Sequence, residues 1–147
     1  MTTNHEGRVL FEQQHHPVVI LRMPSRGSVT AIHDWYDEVE RILRDAKGPI
    51  ALVHDLRPLE IITVSAAHRQ AVAERTNRLR SSPHVHKLAA DAQILSNAVL
   101  AGAVTAVSWL TGSTPWPQAS FSSDEDAIAW SRAQLAKHAS SATTKPS

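Results

Sequence analysis

The spacing of apolar positions changes several times along the chain, and each change marks an element. RVLFEQ (8–13) and PVVILRM (17–23) are short β-branched and aromatic runs separated by His15, His16 and Pro17, which predicts a hairpin. The second run is apolar on both faces, as a central strand is. From Ser28 the spacing lengthens. Val29, Ile32, Tyr36, Val39, Leu43 and Ala46 step by three and four and predict a helix with one apolar stripe. Ser28 or Thr30 can cap its start, and Gly48-Pro49 stops it. On its wet side, Asp37 with Arg41 and Glu40 with Arg44 have i,i+4 ion-pair spacing.

IALVHD (50–55) then reads as a buried strand, and after Pro58 a second helix is expected over about 65–80. KLAADAQILS (87–96) reads as a strand with Leu88, Ala90, Ala92 and Ile94 on one face. A third helix is expected over about 97–111, and PQASFSS as a short last strand. Ser123 with Asp126 forms a capping box for a final helix, whose buried side is Ala127, Ile128, Trp130 and Leu135. Residues 1–6 read as a flexible start, 7–138 as one domain and 139–147 as a disordered tail. The order β-β-α-β-α-β-α-β-α predicts an α/β domain: a mixed, mostly parallel sheet of about five strands with about four helices.

Composition narrows the function classes. The 147 residues suffice for a real core, and 42% hydrophobic with 20% charged is ordinary for a soluble chain. Fifteen Lys and Arg against fourteen Asp and Glu do not favour nucleic acid. The absence of Cys excludes disulfides, thiol nucleophiles and thiolate metal sites. No signal peptide or membrane-spanning run is recognisable, so a cytoplasmic location is the expectation. Nine His invite a metal, but His84 with His86, and His15 with His16, lack a third ligand at suitable spacing; no metal or cofactor is expected.

The element order, with HDLRPLEIITVSAA (54–67) after the third strand, resembles the STAS domain, and most of all a small bacterial single-domain group related to the CRAL-TRIO lipid-binding fold. FSSDEDAIAW (121–130) is also typical of that group. In anti-sigma-factor antagonists the corresponding loop resembles Asp-Leu-Ser-Gly-Val-x-x-Ile-Asp-Ser-Ser-Gly-Leu, and a partner kinase phosphorylates its later Ser. Laid on this chain, Asp55 and Leu56 match the opening pair and Ile62 the Ile. Thr63 falls on the second Asp, Val64 on the first Ser, Ser65 on the phosphorylated Ser, and Ala66 replaces the Gly. The resemblance implies a regulatory protein-interaction module whose partner is an anti-sigma-factor-like kinase or regulator. Its loop and helix would present Asp55, Arg57, Thr63, Ser65, His68 and Arg69.

The residues themselves leave alternatives open. Ser65 at a helix N-terminus suits a phosphate, stabilised by free N–H groups and the helix dipole, and equally suits simple capping. Asp55 and Arg57 fit a partner site or an internal pair. Arg69, Arg75, Arg78, Arg80 and Lys87 make the stretch from Ser65 to Lys87 basic, while Asp34, Asp37, Glu38, Glu40 and Asp45 make the first helix acidic. These read as solvated faces or as a docking surface for an acidic protein or anionic headgroup. A Ser-His-Asp set can be drawn from Ser65, His54 or His68, and Asp55. No G-x-S-x-G elbow accompanies it, and five Gly leave no phosphate-cradling loop, so catalysis is not expected.

No charge occurs between Ala92 and Ser123, and Ala98, Gly102 and Ala106 have small-x-x-x-small spacing. Such a helix needs a cover. A second subunit, with Trp109 and Trp116 as anchors, would make a homodimer; a lipid or small apolar ligand beneath it is the alternative, and burial in the core a third. The expectation is therefore a binding protein. A regulatory interaction module comes first, and carriage of a small apolar ligand or lipid second.

Overall fold

A computed structural model describes residues 8–60, 65–98, 101–102, 104–105, 111–112 and 114–144. Strand β1 (Leu10–His15) pairs antiparallel with β2 (Val18–Arg22) across a turn holding a cis His16–Pro17 bond. β3 (Ile50–Asp55), β4 (Leu88–Ile94) and β5 (Gln118–Phe121) add in parallel, giving the sheet order β1-β2-β3-β4-β5. This is the predicted mixed, mostly parallel sheet. Among the described residues, three α-helices cover it: α1 (Val29–Asp45), α2 (Ala66–Arg80) and α3 (Asp124–Thr144). A 3₁₀ turn, Val85–Lys87, leads into β4. Of the expected helix over 97–111, Ala98, Ala101, Gly102, Val104, Thr105 and Thr111 are helical, and the rest lies outside the described residues. So do residues 1–6, Thr63, Ala106 and Trp109.

Strand alternation divides the core in two. Val19, Leu21, Ile50 and Leu52 face α1 and α2; Val18, Ile20, Ala51 and Val53 face α3. β3 and most of β2 are buried on both faces, which explains their apolar runs. Each large aliphatic side chain removed from water here contributes about 1.5–3 kcal/mol. β4 departs from strict alternation. Ile50 pairs with Leu88, but Ala51 pairs with Ala90, so a bulge near Ala89 turns Leu88 to the α1/α2 side, away from the face expected for it. Ala90, Ala92 and Ile94 stay together opposite α3.

Ser28 caps α1, accepting from the Ala31 N–H. Its buried stripe is Ile32, Trp35, Tyr36, Val39, Ile42 and Leu43, whereas Val29 is exposed. The stripe is thus broader than the predicted one and shifted along it. The expected i,i+4 pairs give way to other partners. Arg41 bonds Glu38, while Asp37 and Glu40 turn to Arg75 of α2, at 2.7 and 3.0 Å. A buried guanidinium outcompetes an exposed one because it has no water to fall back on. Arg78 also bonds Glu40, and Lys87 Nζ donates to the Leu43, Arg44 and Ala46 carbonyls at the α1 C-terminus. Arg75 and Lys87 therefore meet acids and carbonyls inside the fold, while Arg78 pairs with Glu40 at the surface.

Ser123 Oγ caps α3 by accepting from the Asp126 N–H. Ala127 is fully buried, with Ile128, Trp130 and Leu135 packed partly buried around it, as expected. The helix continues to Thr144, into the stretch read as a tail. Its run of Ala and Ser, free of Gly and Pro, lets the helix propagate.

Candidate functional site

β3 ends in His54 and Asp55, and alternation sends them to opposite faces. Two separate polar groups result.

On the α3 face, Asp55 is buried and accepts from Arg57 Nε at 2.8 Å and Arg22 Nη1 at 3.0 Å. Arg22 also bonds Asp124 and Glu12, and Arg57 Nη2 reaches Asp124 at 2.6 Å. Burial alone would raise the Asp55 carboxyl, but the Arg57 and Arg22 hydrogen bonds outweigh it and hold it below its ordinary value. The Arg22 hydrogen bond likewise lowers Asp124. This network ties β2, β3, the following loop and the start of α3 together.

On the other face, a cavity of about 180 Å³ lies between the sheet, α1 and α2. Ile32, Trp35, Leu56, Leu59 and Val72 supply apolar wall, and His54, Gln93, Thr76 and His68 supply polar points. Val104 and Thr111 of the uncharged segment border it as well, so part of that segment covers the cavity. The rings of Trp35 and His54 meet edge-on, with centroids 5.2 Å apart. His54 Nε2 lies 2.6 Å from Asp91 Oδ1, and Asp91 Oδ2 accepts from Gln118 at 3.3 Å. Tyr36 and Thr76 share a buried hydroxyl contact of 3.1 Å; burial pushes the Tyr36 phenol above its ordinary value. Trp35 Nε1 and His54 Nδ1 are buried without a hydrogen-bond partner among the described residues.

Ser65 is the exposed N-cap of α2 and forms a capping box with His68. The Gly27 carbonyl only accepts, so His68 Nε2, 3.2 Å away, carries the proton. Nδ1 then accepts from the Ser65 hydroxyl at 2.6 Å. His68 thus pins the α2 N-terminus to the loop before α1 while also lining the cavity, beside Arg69.

The predicted loop residues are therefore not one constellation. Asp55 and Arg57 sit on the α3 face, and His68 and Arg69 border the cavity beyond Ser65. Ala98 and Gly102 are exposed. Trp116, read as a surface anchor, is instead 4% exposed and packed in the α1/α2 core, because the chain entering β5 turns it inward. Trp35, Gln93 and the His54–Asp91 pair were not singled out from the sequence. Their signal was polar residues at alternate positions, Asp91 and Gln93, in an otherwise buried strand. Among the described residues no group of three His, Asp or Glu gathers to hold a metal, and no helix is long and apolar enough to cross a membrane.

The parallel order with an antiparallel first strand, α1 and α2 on one face and α3 on the other, has a counterpart among solved structures. An uncharacterised protein of the DUF3478 family from Shewanella loihica, described as having a SpoIIAA-like fold, superposes with a TM-score of 0.54, covering 89% of this chain and 98% of its own. The fold is STAS-like. The two sequences are 16% identical, so the likeness is one of fold. No protein-family model matches the chain, and neither does any curated protein. In the STAS-like frame, Ser65 begins the helix that follows the third strand, and the cavity opens beside it.

Proposed function

We propose that this domain works by binding rather than catalysis, and that it holds a small, largely apolar molecule between the sheet, α1 and α2. The observation that carries this reading is the cavity of about 180 Å³, apolar in most of its wall yet with a few converging polar side chains. That combination is what small-molecule sites use, apolar area for affinity and a few fixed polar groups for orientation. Ser65 and His68 do not argue for a hydrolase. The Ser65 oxygen caps α2 by accepting from the His68 backbone N–H, its hydroxyl meets His68 Nδ1 at the exposed surface, and the far ring nitrogen faces a carbonyl that contributes no charge. Native mass spectrometry of freshly purified protein, with Val72→Trp to fill the cavity, tests the reading. An extra mass that leaves on denaturation and is missing from the variant supports it. An adduct unaffected by the variant, or an empty protein that binds no small apolar probe, overturns it.

A second reading is the regulatory interaction module of the anti-sigma-factor-antagonist type, favoured by the exposed Ser65 at an α2 N-terminus whose first turn has no acidic residue. A phosphate there would meet free N–H groups. Pairing of two chains through exposed Ala98 and Gly102 belongs to this reading. Loss of a co-purifying protein partner on Ser65→Asp supports it, and an unchanged set of co-purifying proteins counts against it.

A further inference from the structure

The cavity offers a ligand no charge that is not already answered. Among the described residues lining it none is acidic. Arg69 has an interaction of its own, and both ring nitrogens of His68 are engaged, Nε2 with the Gly27 carbonyl and Nδ1 with the Ser65 hydroxyl. A charged occupant would give up its hydration and meet no unpaired opposite charge, so a neutral one is favoured. The hydrogen-bonding groups left over are neutral, and they lie together. Gln93 of β4 pairs in register with His54 of β3, so both side chains leave the sheet on one face, and both line the cavity. The Gln93 side-chain amide has no hydrogen-bond partner among the described residues. His54 Nε2 lies 2.6 Å from Asp91 Oδ1, and a carboxylate only accepts, so Nε2 carries the proton. Nδ1 of the neutral ring is then an acceptor, buried and unpartnered. Trp35, its ring centre 5.2 Å from that of His54, holds a buried Nε1–H donor that is likewise unpaired.

From this we infer that the occupant is a neutral primary carboxamide on a single ring, its amide edge against Gln93 and its ring against Trp35, Ile32 and Val72. This rests on the small-ligand reading above and adds the ligand's charge, size and polar group. The polar group follows from matching. The Gln93 amide presents a carbonyl and an NH₂ side by side in one plane, and a second carboxamide answers both at once. One N–H and one carbonyl lone pair of the ligand remain, and His54 Nδ1 and Trp35 Nε1–H are the acceptor and donor for them. The size follows from the volume of about 180 Å³. A cavity of about 150 Å³ accepts one benzene, so this one suits a ring bearing a carboxamide, about nine non-hydrogen atoms. A long-chain lipid does not fit.

Calorimetric titration of the purified protein with benzamide and two compounds of the same shape tests the inference, with tryptophan fluorescence as the second readout. Acetophenone keeps the carbonyl and loses the N–H groups; benzoate replaces the amide by a charge. Benzamide is expected to bind about tenfold more tightly than either. Gln93→Met, of similar length and without the amide, should reduce the preference over acetophenone to less than about threefold. Circular dichroism confirms that the variant folds. Equal affinity for benzamide and acetophenone, benzoate binding as tightly as benzamide, or a preference that survives Gln93→Met overturns the amide assignment. If none of the three binds, the molecule retained in native mass spectrometry decides. A neutral amide upholds the inference, whereas a charged molecule or one without an amide sinks it and leaves the small-ligand reading standing. If none binds and the protein is empty, both fail.

Discussion

Asp55 at the end of β3 and Asp124 at the start of α3 share the same two arginines. Arg22 Nη1 donates to both, and Arg57 divides its Nε and Nη2 between them. Both carboxyls are held below their ordinary values. A carboxyl lowered only in the folded state binds fewer protons there than in the unfolded chain, so its stabilisation is full above the unfolded value and lost as pH falls through the folded one. Denaturant midpoints should therefore change little from pH 7 to 5 and drop progressively below about pH 4. Asp124→Asn should shallow that acid limb and lower stability at pH 7. An unchanged limb would show that other groups set the acid dependence.

Arg75 carries the contact between the first two helices. Its side chain is 6% exposed and pairs with Asp37 and Glu40 while its guanidinium lies 5.8 Å from the Tyr36 ring centre. Removing Arg75 lets exposed Asp37 rehydrate and leaves Glu40 with Arg78, so the loss is that of the buried guanidinium's own packing and hydrogen bonds, about 1–3 kcal/mol. Arg75→Ala should cost that much in chemical denaturation. Arg78→Ala, whose side chain is 64% exposed, should cost under about 1 kcal/mol. Equal losses would mean that the buried pairing contributes nothing special.

These networks also mark the limit of what the sequence made legible. Strand positions and the Ser28, Ser65 and Ser123 caps were readable because each is set by residues close in sequence: an apolar period, a Gly-Pro stop, a Ser before a helix. The partners of Asp37, Glu40 and Arg75 were not, since i,i+4 spacing offers a local pairing and only the packing of α1 on α2 supplies a better one. Leu88 misled for a similar reason, as a single bulge reverses its face. His54 and Asp55 looked like one site because they are adjacent in sequence, although a strand places adjacent side chains on opposite faces.

Ser65 separates structural from regulatory roles. Its oxygen caps α2, so Ser65→Ala should cost about 1 kcal/mol by thermal or denaturant unfolding. Asp is an equally good cap and adds a charge favourable to the helix N-terminus, so Ser65→Asp should be as stable as the parent to within about 0.5 kcal/mol. A stable Ser65→Asp protein lets partner loss be read as an effect on binding rather than on folding. Destabilisation by Asp matching that by Ala would show that His68, not the helix end, is the contact that matters.

Alanines set how closely α3 sits on the sheet. Ala51, Ala90 and Ala92 are fully buried opposite it, and Ala127 of α3 is fully buried among them. Where these methyl groups meet, the helix and strand approach closely and the surrounding Val18, Ile20, Val53 and Ile94 are themselves fully buried, so added volume must move the helix or strain the strand. Ala92→Leu should therefore destabilise by about 1–3 kcal/mol, despite being a hydrophobic-for-hydrophobic exchange. Ala133→Leu, on the exposed side of the same helix, should change stability by no more than about 0.5 kcal/mol. Denaturant unfolding of the two variants isolates packing from helix propensity, because Leu and Ala are both good helix formers. An Ala92→Leu protein as stable as the parent would mean that α3 is seated more loosely on β4 than its buried alanines imply.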